Sequence, residues 1–312
     1  MSASGPVVAI VGPTASGKSS LAESVASRLS TPVISVDAMQ VYRGMDIGTA
    51  KTPPEARTVD LLMVDVVEPG EDYSVRLFQR DARAHVDSLL SRGKTPVLCG
   101  GTGLYLNAVI DEMEFPNGDT SSPLRARYER LAEERGPRAL HELLRERDEP
   151  SASLIHPHNV RRVVRALELA DEGLSYAQQH EGLHKRKPHY DTLIFGIEMN
   201  RERLYERIER RVDEMIDAGL VDEVSSLAER GLSDALTSRQ AIGYKEILGF
   251  LEGTTSLEEA IEQIKMRSRR YAKRQISWFK HDGRVTWLDY ETLDEDAAAE
   301  EILEALANRV EA

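Results

Sequence analysis

Eight residues near the start of the chain have the types and spacing that bind phosphate. They match the pattern G-x-x-x-x-G-K-[ST] and are Gly12, Pro13, Thr14, Ala15, Ser16, Gly17, Lys18 and Ser19. The glycines let backbone amides approach phosphate oxygens, the lysine supplies a positive charge, and the serine hydroxyl is a ligand for Mg²⁺. We therefore expect a di- or triphosphate group to bind here together with Mg²⁺. The motif alone does not identify whose phosphates these are.

A carboxylate and a glycine-rich turn follow two later apolar segments. Asp37 ends the run 32–36, and Gly100-Gly101-Thr102-Gly103 ends the run 95–99. In an open parallel sheet, active sites form where the carboxyl ends of strands meet. Asp37 there can act as a general base, bind Mg²⁺ or cap the following turn, and its position leaves these roles open. The glycine turn adds backbone amides and the Thr102 hydroxyl, but such turns are common.

The elements around these motifs indicate an α/β fold with a parallel sheet of the P-loop NTPase type. Apolar runs alternate with helical patterns, with strands at 7–11, 32–36, 61–67 and 95–99 and helices at 19–29 and 75–91. From 122 to 179 the apolar residues recur at three and four, which predicts an inserted helical segment. A strand at 192–197 and helices at 201–218, 220–230 and 256–279 follow. We predict a first core part at 1–115, a helical insertion at 116–190 entered through Pro116-Asn117-Gly118, and a return to the core with an acidic tail at 191–312.

Composition and charge indicate a protein without membrane spans. The 312 residues carry a net charge of −13, but the ten acids and two bases from Asp282 onward account for most of it. The overall charge therefore does not exclude a nucleic-acid partner. The single cysteine, Cys99, excludes an internal disulfide and is typical of a reducing compartment. No apolar run approaches the ~20 residues of a membrane span, and the N-terminal residues lack the basic region of a signal peptide, so we expect a cytoplasmic protein.

Three motifs in succession resemble the tRNA dimethylallyltransferases, also called the IPP transferase family. They are GPTASGKS, ISVDAMQVYRGMDIGTAK and PVLCGGTGLYLNA, and the similarity continues through residues 155–157, 165–168, 239–244 and 273–279. It extends over nearly the whole chain up to Trp287. Two departures stand out: Ala38 replaces the Ser that commonly follows the aspartate, which puts one hydrogen bond in doubt, and Leu61-Leu62 replaces a frequent His pair.

This resemblance implies a reaction and a role for each motif. The family transfers a dimethylallyl group from its pyrophosphate to N6 of the adenosine on the 3′ side of the anticodon. By resemblance, the loop 12–19 binds the donor's pyrophosphate with Mg²⁺ on Ser19, and Asp37 accepts the proton from the adenine amine. Thr102 lies beside the reacting groups, and Arg211 clamps the pyrophosphate. The implied partners are dimethylallyl pyrophosphate and the tRNA anticodon stem-loop; no obligate protein partner is indicated, and we expect a monomer.

The resemblance also implies a set of tRNA-contacting residues. They are Asp37, Ala38, Met39, Gln40, Thr102, Arg125, Arg161, Arg162, Arg165, Arg239, Gln240, Gly243, Tyr244, Arg270, Lys273 and Arg274. The segment 267–280 has six bases and no acid, which suits RNA phosphates. Taken alone, Arg161 and Arg165 form a solvated face that pairs with Glu168. The resemblance favours RNA contact for the basic faces and assigns Trp278 and Phe279 to the core. The basic residues at 184–187 are also typical of an exposed linker, and we assign them no contact.

Three other functions use the same loop. A small-molecule kinase would use ATP, with Asp65 positioning Mg²⁺, but the motif around Asp37 does not fit that class. An adenylate prenyltransferase would use free AMP or ADP, yet a mononucleotide needs neither the insertion nor the basic segment 267–280. A regulatory RNA-binding NTPase leaves the carboxylate at Asp37 unexplained. His156 and His158 lack further metal-ligating neighbours, so we predict no metal there.

Overall fold

The computed structural model describes residues 5–115, 122–182 and 186–311. Its centre is a parallel sheet with the strand order β3-β2-β4-β1-β5-β6. The strands are β1 Val7–Val11, β2 Val33–Ser35, β3 Leu61–Leu62, β4 Val97–Gly100, β5 Thr192–Glu198 and β6 Val285–Asp289. The predicted α/β fold class with a parallel sheet is confirmed.

Helices cover both faces of this sheet, which explains why its strands are continuous apolar runs. They are α1 Lys18–Arg28, α2 Val75–Ser91, α3 Gly103–Ile110, α4 Pro123–Arg147, α5 Glu149–Leu154, α6 Val160–Asp171, α7 Tyr176–Gly182, α8 Arg201–Asp217, α9 Leu220–Glu229, α10 Tyr244–Leu251, α11 Leu257–Lys280 and α12 Glu295–Glu311. All five residues of β1 are fully buried. Val7, Ala9 and Val11 face the core formed with α2, α3, α9, α10 and α11, whereas Val8 and Ile10 face α1 and α12.

Two elements differ from the sequence prediction. The third strand was predicted over 61–67, but β3 ends at Leu62 because Met63 and Asp65 take positive φ angles of 61° and 54°. Val67 meets the sheet region again only through an isolated bridge with Tyr42. The acidic tail was also underestimated, since it contains β6 and α12. Apolar residues of α12, such as Ile302, are buried on the face that packs against α1. The acidic residues of α12 lie on its exposed side.

The chain forms two compact units. The first comprises Met1–Asp111 and Pro188–Ala312, and the second comprises Glu112–Lys187. The second unit differs by a few residues from the predicted 116–190. Asp111 and Pro188 pair with each other in a β-bridge, and both belong to the first unit. The predicted entry at 116–118 and the basic residues His184 and Lys185 lie outside the described residues.

In the described residues of the second unit, every regular element is an α-helix. Helices α4, α5, α6 and α7 enclose a small core that contains Tyr128, Leu140 and Val163. Helix α4 is interrupted at Gly136, where φ is 83°, and Pro137 starts its second part. This unit has its own apolar centre, which is what a separately folded insertion requires.

Candidate active site

The phosphate-binding loop connects β1 to α1 in a conformation that directs amides toward the helix start. Gly17 caps α1 with φ of 101°, a left-handed angle that side chains disfavour, and Ala15 also has positive φ at 63°. The hydroxyl of Ser16 is fully buried and has no hydrogen-bond partner among the described residues. Within the part of the chain that the structure describes, the Lys18 ammonium donates only a long hydrogen bond of 3.3 Å to the Pro13 carbonyl. A phosphate group would supply acceptors for these donors.

Helix α11 holds this loop against the end of β4 through Gln275. Its side-chain oxygen accepts a hydrogen bond from the Thr14 amide at 2.9 Å, and its nitrogen donates to the Gly101 carbonyl at 3.0 Å. From the other side, Arg207 of α8 donates to the Ala15 carbonyl at 2.8 Å. Two helices far along the chain therefore fix the loop conformation.

Asp37 and Thr102 meet because β2 and β4 are neighbours in the sheet. The Ala38 amide donates to the Thr102 hydroxyl at 3.3 Å, and the Met39 amide donates to the Asp37 carboxylate at 2.8 Å. Asp37 thus caps the following turn, which is one of the roles that the sequence left open. Its carboxylate also lines the adjoining cavity, so the capping contact and a chemical role are compatible.

A single cavity of about 340 Å³ collects most of the predicted chemical groups. Predicted site residues that line it are Thr14, Lys18, Ser19, Asp37, Ala38, Met39, Gln40, Thr102, Arg211, Gln240, Gly243 and Arg274. Apolar residues line another part of its wall, among them Ile208, Val212 and Met215 of α8. The cavity therefore combines a polar end suited to pyrophosphate with an apolar wall suited to a short hydrocarbon.

Two cations face the cavity with little hydration. Burial lowers the pKa of the Lys18 ammonium, and Arg211 contributes to this lowering while Cys99 and Asp37 oppose it. Burial likewise lowers the pKa of the Arg211 guanidinium, assisted by the neighbouring charge of Arg207. Bringing an anion to desolvated cations stabilises their charged forms. The electrostatics of the cavity therefore favour an anionic ligand.

The cavity contains side-chain oxygens of the kind that Mg²⁺ binds. Ser19 and Asp37 both line the cavity. Within residues 5–115, 122–182 and 186–311, no three His, Cys, Asp or Glu side chains form a metal-ligating group. Mg²⁺ commonly takes one or two protein oxygens together with substrate phosphates. This arrangement needs no dedicated cage of carboxylates.

Some predicted contacts lie away from the cavity. Tyr244 is fully buried, and its hydroxyl donates a hydrogen bond to Glu223 at 2.5 Å. Its contact with tRNA remains a prediction. Arg239 lines a separate polar cavity between α10 and α11. Asp65, the alternative magnesium ligand, accepts a hydrogen bond from Lys51 at 2.7 Å and does not line the main cavity. In this structure Asp65 therefore pairs with Lys51.

Helix α11 presents a basic face next to the cavity. Arg270, Lys273 and Arg274 are exposed, and they form no ion pair with the acids that the structure describes. Arg267 and Arg269 differ, because they pair with Glu246 and Glu209. Trp278 is exposed, contrary to its prediction as a core residue, whereas Phe279 is buried.

The arginines of the second unit divide into two kinds. Arg125 forms a two-point ion pair with the buried carboxylate of Glu168, with distances of 2.9 and 3.1 Å, and Arg165 lies 3.5 Å from the same carboxylate. These contacts hold α4 against α6. Arg161 and Arg162 are exposed on α6. Contact of this arginine group with tRNA remains a prediction.

Three residues near the reacting groups escaped the sequence prediction: Tyr271, Gln275 and Arg207. Tyr271 lines the cavity together with Thr102, and burial raises the pKa of its hydroxyl to about 12. The spacing of four residues links Tyr271 to Gln275 and Arg207 to Arg211. A search for helical neighbours of the predicted residues would have found Arg207, four residues before Arg211, and Tyr271, three residues before Arg274, but not Gln275.

The lowered pKa of Lys18 predicts how donor affinity depends on pH. Lys18 loses its proton at a lower pH than an ordinary lysine, so affinity for a prenyl pyrophosphate should fall on the alkaline side, below the usual lysine pKa of 10.5. The Cys99 thiol, with its pKa raised by burial to about 11, stays neutral over most of this range. Measuring the donor Kd from pH 7 upward tests this. Lys18→Arg should move the alkaline decline to higher pH, and an unmoved decline would assign it to another group.

Comparison with known proteins identifies the family of this chain. The model of the family described as "IPP transferase" matches residues 40–282, and that of "Isopentenyl transferase" matches residues 5–59. The tRNA dimethylallyltransferase of Caldanaerobacter subterraneus subsp. tengcongensis is 45% identical, with 97% of this chain and 98% of the relative covered. That of Bacillus pumilus is also 45% identical, with 91% and 89% covered.

Two solved structures share the fold. The tRNA isopentenylpyrophosphate transferase of Bacillus halodurans has a TM-score of 0.72 and 42% identity, and the match covers 98% of this chain and 97% of that one. A eukaryotic dimethylallyltransferase acting on tRNA has a TM-score of 0.79 and 28% identity, covering 96% and 78%. The motifs, the cavity that they build and these similarities agree, and the chain belongs to the IPP transferase family.

Proposed function

We propose that this protein transfers a dimethylallyl group from dimethylallyl pyrophosphate to N6 of the adenosine on the 3′ side of the tRNA anticodon, releasing pyrophosphate. The observation that carries the proposal is the cavity in which Lys18, Asp37, Thr102 and Arg211 meet. The relatives' names, which specify tRNA as the molecule they act on, support the choice of acceptor. A cytoplasmic monomer is part of the proposal, and the structure has no helix in its described residues that is long and apolar enough to cross a membrane.

The donor binds with its pyrophosphate at the polar end of the cavity. Amides of the loop 12–19, the Lys18 ammonium and the Arg211 guanidinium neutralise the charge that grows on the pyrophosphate as its bond to the allylic carbon weakens. The dimethylallyl group lies against apolar residues such as Ile208, Val212 and Met215. When bound at Ser19, Mg²⁺ would add positive charge beside the pyrophosphate oxygens.

The acceptor's amine forms the new bond on the other side of the allylic carbon. The adenine N6 attacks that carbon, the carbon–oxygen bond to pyrophosphate breaks, and the electron pair leaves with the pyrophosphate. The proton lost from N6 goes to the Asp37 carboxylate and then to solvent. Thr102 accepts a hydrogen bond from the Ala38 amide and so keeps the Asp37 turn in place. The base must leave its stack to reach this cavity, which is base flipping.

The exposed basic side chains of α11 provide the surface that binds RNA beside the cavity. Replacing Arg270 and Arg274 by alanine should weaken tRNA binding and reduce the slope of log K against log salt by about 1.5, since each lost phosphate contact removes just under one unit. Arg28→Ala with Arg309→Ala is a matched control, because these arginines lie on α1 and α12 on the opposite face of the sheet. Equal slopes for both double variants would contradict an RNA-binding role of α11.

One assay separates the proposed function from its rivals. The protein is incubated with dimethylallyl pyrophosphate and Mg²⁺ and offered unmodified tRNA or AMP, with ATP as an alternative donor in parallel. Prenyl transfer to tRNA alone is the expected result. Transfer to AMP alone would identify an adenylate prenyltransferase, and consumption of ATP without prenylation would identify a kinase or NTPase.

A further inference from the structure

Three side chains of α11 lie next to the three residues 101–103 of the loop that follows β4. Gln275 donates a hydrogen bond to the Gly101 carbonyl, Tyr271 lines the cavity together with Thr102, and Trp278 packs against Gly103. These three side chains lie at i, i+4 and i+7 of one helix and therefore share a face. Tyr271 and Gln275 line the main cavity, whereas Trp278, at the C-terminal end of this face, does not.

Trp278 differs from the other large aromatic residues around the site because it is exposed. The solvent-accessible fraction of Trp278 is 39%, whereas Phe279 beside it is buried. Its five-membered ring lies so close to Gly103 that a Cβ atom there would be 2.1 Å from Cδ1 and Nε1 of the indole. Because Gly103, the residue after Thr102, has no side chain, the indole can pack directly against its backbone.

The surroundings of Trp278 fit a nucleic acid rather than an apolar partner. Arg270 and Arg274 precede it at intervals of four residues, so the three side chains form a stripe along α11. Both arginines are exposed, and Arg274 also lines the cavity. An aromatic face beside exposed arginines is typical of surfaces that stack single-stranded bases and bind their phosphates.

We infer that Trp278 is a stacking platform for the nucleotide base directly next to the adenosine that enters the cavity. The inference rests on the proposed function, because it takes the acceptor to be tRNA. Flipping a base out of the anticodon loop removes the stacking partner of its neighbour. An indole beside Thr102 can take that place and so hold the loop open. Trp278 is a positioning residue in this account and does not touch the reacting atoms.

The fluorescence of Trp278 gives a direct readout of such stacking. The chain has only two tryptophans, so Trp287→Phe leaves Trp278 as the sole indole. Titrating this variant with an unmodified anticodon stem-loop should quench its emission, because stacked bases quench indole fluorescence. Unchanged emission in the presence of saturating RNA would overturn the inference.

Variants at Trp278 separate stacking from apolar packing. Trp278→Leu keeps an apolar side chain without a ring and should raise the KM for tRNA about tenfold, whereas Trp278→Phe should restore most of the affinity. The KM for dimethylallyl pyrophosphate and the melting temperature should stay at wild-type values, which distinguishes positioning from damage to the fold. Equal KM values for tRNA in Trp278→Leu and the wild type would contradict the inference.

An abasic stem-loop identifies the stacked base. Removing the base on one side of the target adenosine should weaken binding to the wild type about tenfold but leave binding to Trp278→Leu nearly unchanged. Additive losses from the RNA and protein changes would refute the contact. Failure of the wild type to prenylate tRNA would overturn the proposed function, and the fluorescence and abasic binding measurements would still decide whether Trp278 stacks on RNA.

Discussion

Replacing Asp37 by asparagine is expected to lower kcat by about 10²–10⁴-fold while changing tRNA affinity only a few-fold. The asparagine oxygen can still accept the hydrogen bond from the Met39 amide, which Asp37 accepts at 2.8 Å, so the turn should keep its shape. What is lost is the group that takes the proton from N6. Single-turnover prenyl transfer with saturating donor and tRNA measures this step directly.

A second carboxylate in the cavity provides the matched control for Asp37. Glu23 also lines the cavity, but its carboxylate accepts hydrogen bonds from the Thr58 amide and hydroxyl, both at 3.4 Å. Glu23→Gln should therefore keep kcat within a few-fold of the wild type. If both variants lost activity equally, negative charge in the cavity would matter in general, and Asp37 would not be the base.

Replacing Arg211 by glutamine is expected to lower kcat by about 10²–10³-fold, the usual cost of removing one group that neutralises developing charge. Arg211 is desolvated inside the cavity, which lowers its pKa and strengthens its interaction with a pyrophosphate leaving group. The effect should appear in single-turnover prenyl transfer and should be larger than the change in donor KM.

The residue next to Arg211 is a suitable control. Arg210 is exposed on the same helix and lies 3.5 Å from Glu214 in a surface ion pair. Such pairs contribute little to stability, so Arg210→Gln should fold and turn over normally. Similar losses in both variants would show that the total charge of α8 matters more than the position of Arg211 in the cavity.

The parts of the site that depend on local sequence were predictable. The loop 12–19 needs only its own residues and the flanking strand and helix, and these fall where the pattern put them. The meeting of Asp37 and Thr102 also followed from the sequence, because neighbouring parallel strands end at the same edge of a sheet. The catalytic roles of these residues remain predictions.

Contacts between distant parts of the chain were not predictable in the same way. Gln275 donates a hydrogen bond to the Gly101 carbonyl across 174 residues of sequence, and no local pattern in either segment predicts this contact. Positive φ angles at Met63 and Asp65 end β3 early, although a methionine rarely adopts that conformation. The acids of α12 concealed the apolar stripe with which it packs on α1. Tertiary packing decides each of these features.

The position of the prenyl group on the RNA tests the central claim most directly. Unmodified tRNA is treated with dimethylallyl pyrophosphate, Mg²⁺ and the protein, digested to nucleosides and short fragments, and analysed by mass spectrometry. The account predicts one dimethylallyl group on N6 of the adenosine that follows the anticodon, one pyrophosphate released per transfer, and no reaction when inosine replaces that adenosine. A prenyl group on another nucleotide, or transfer to the inosine-containing tRNA, would contradict it.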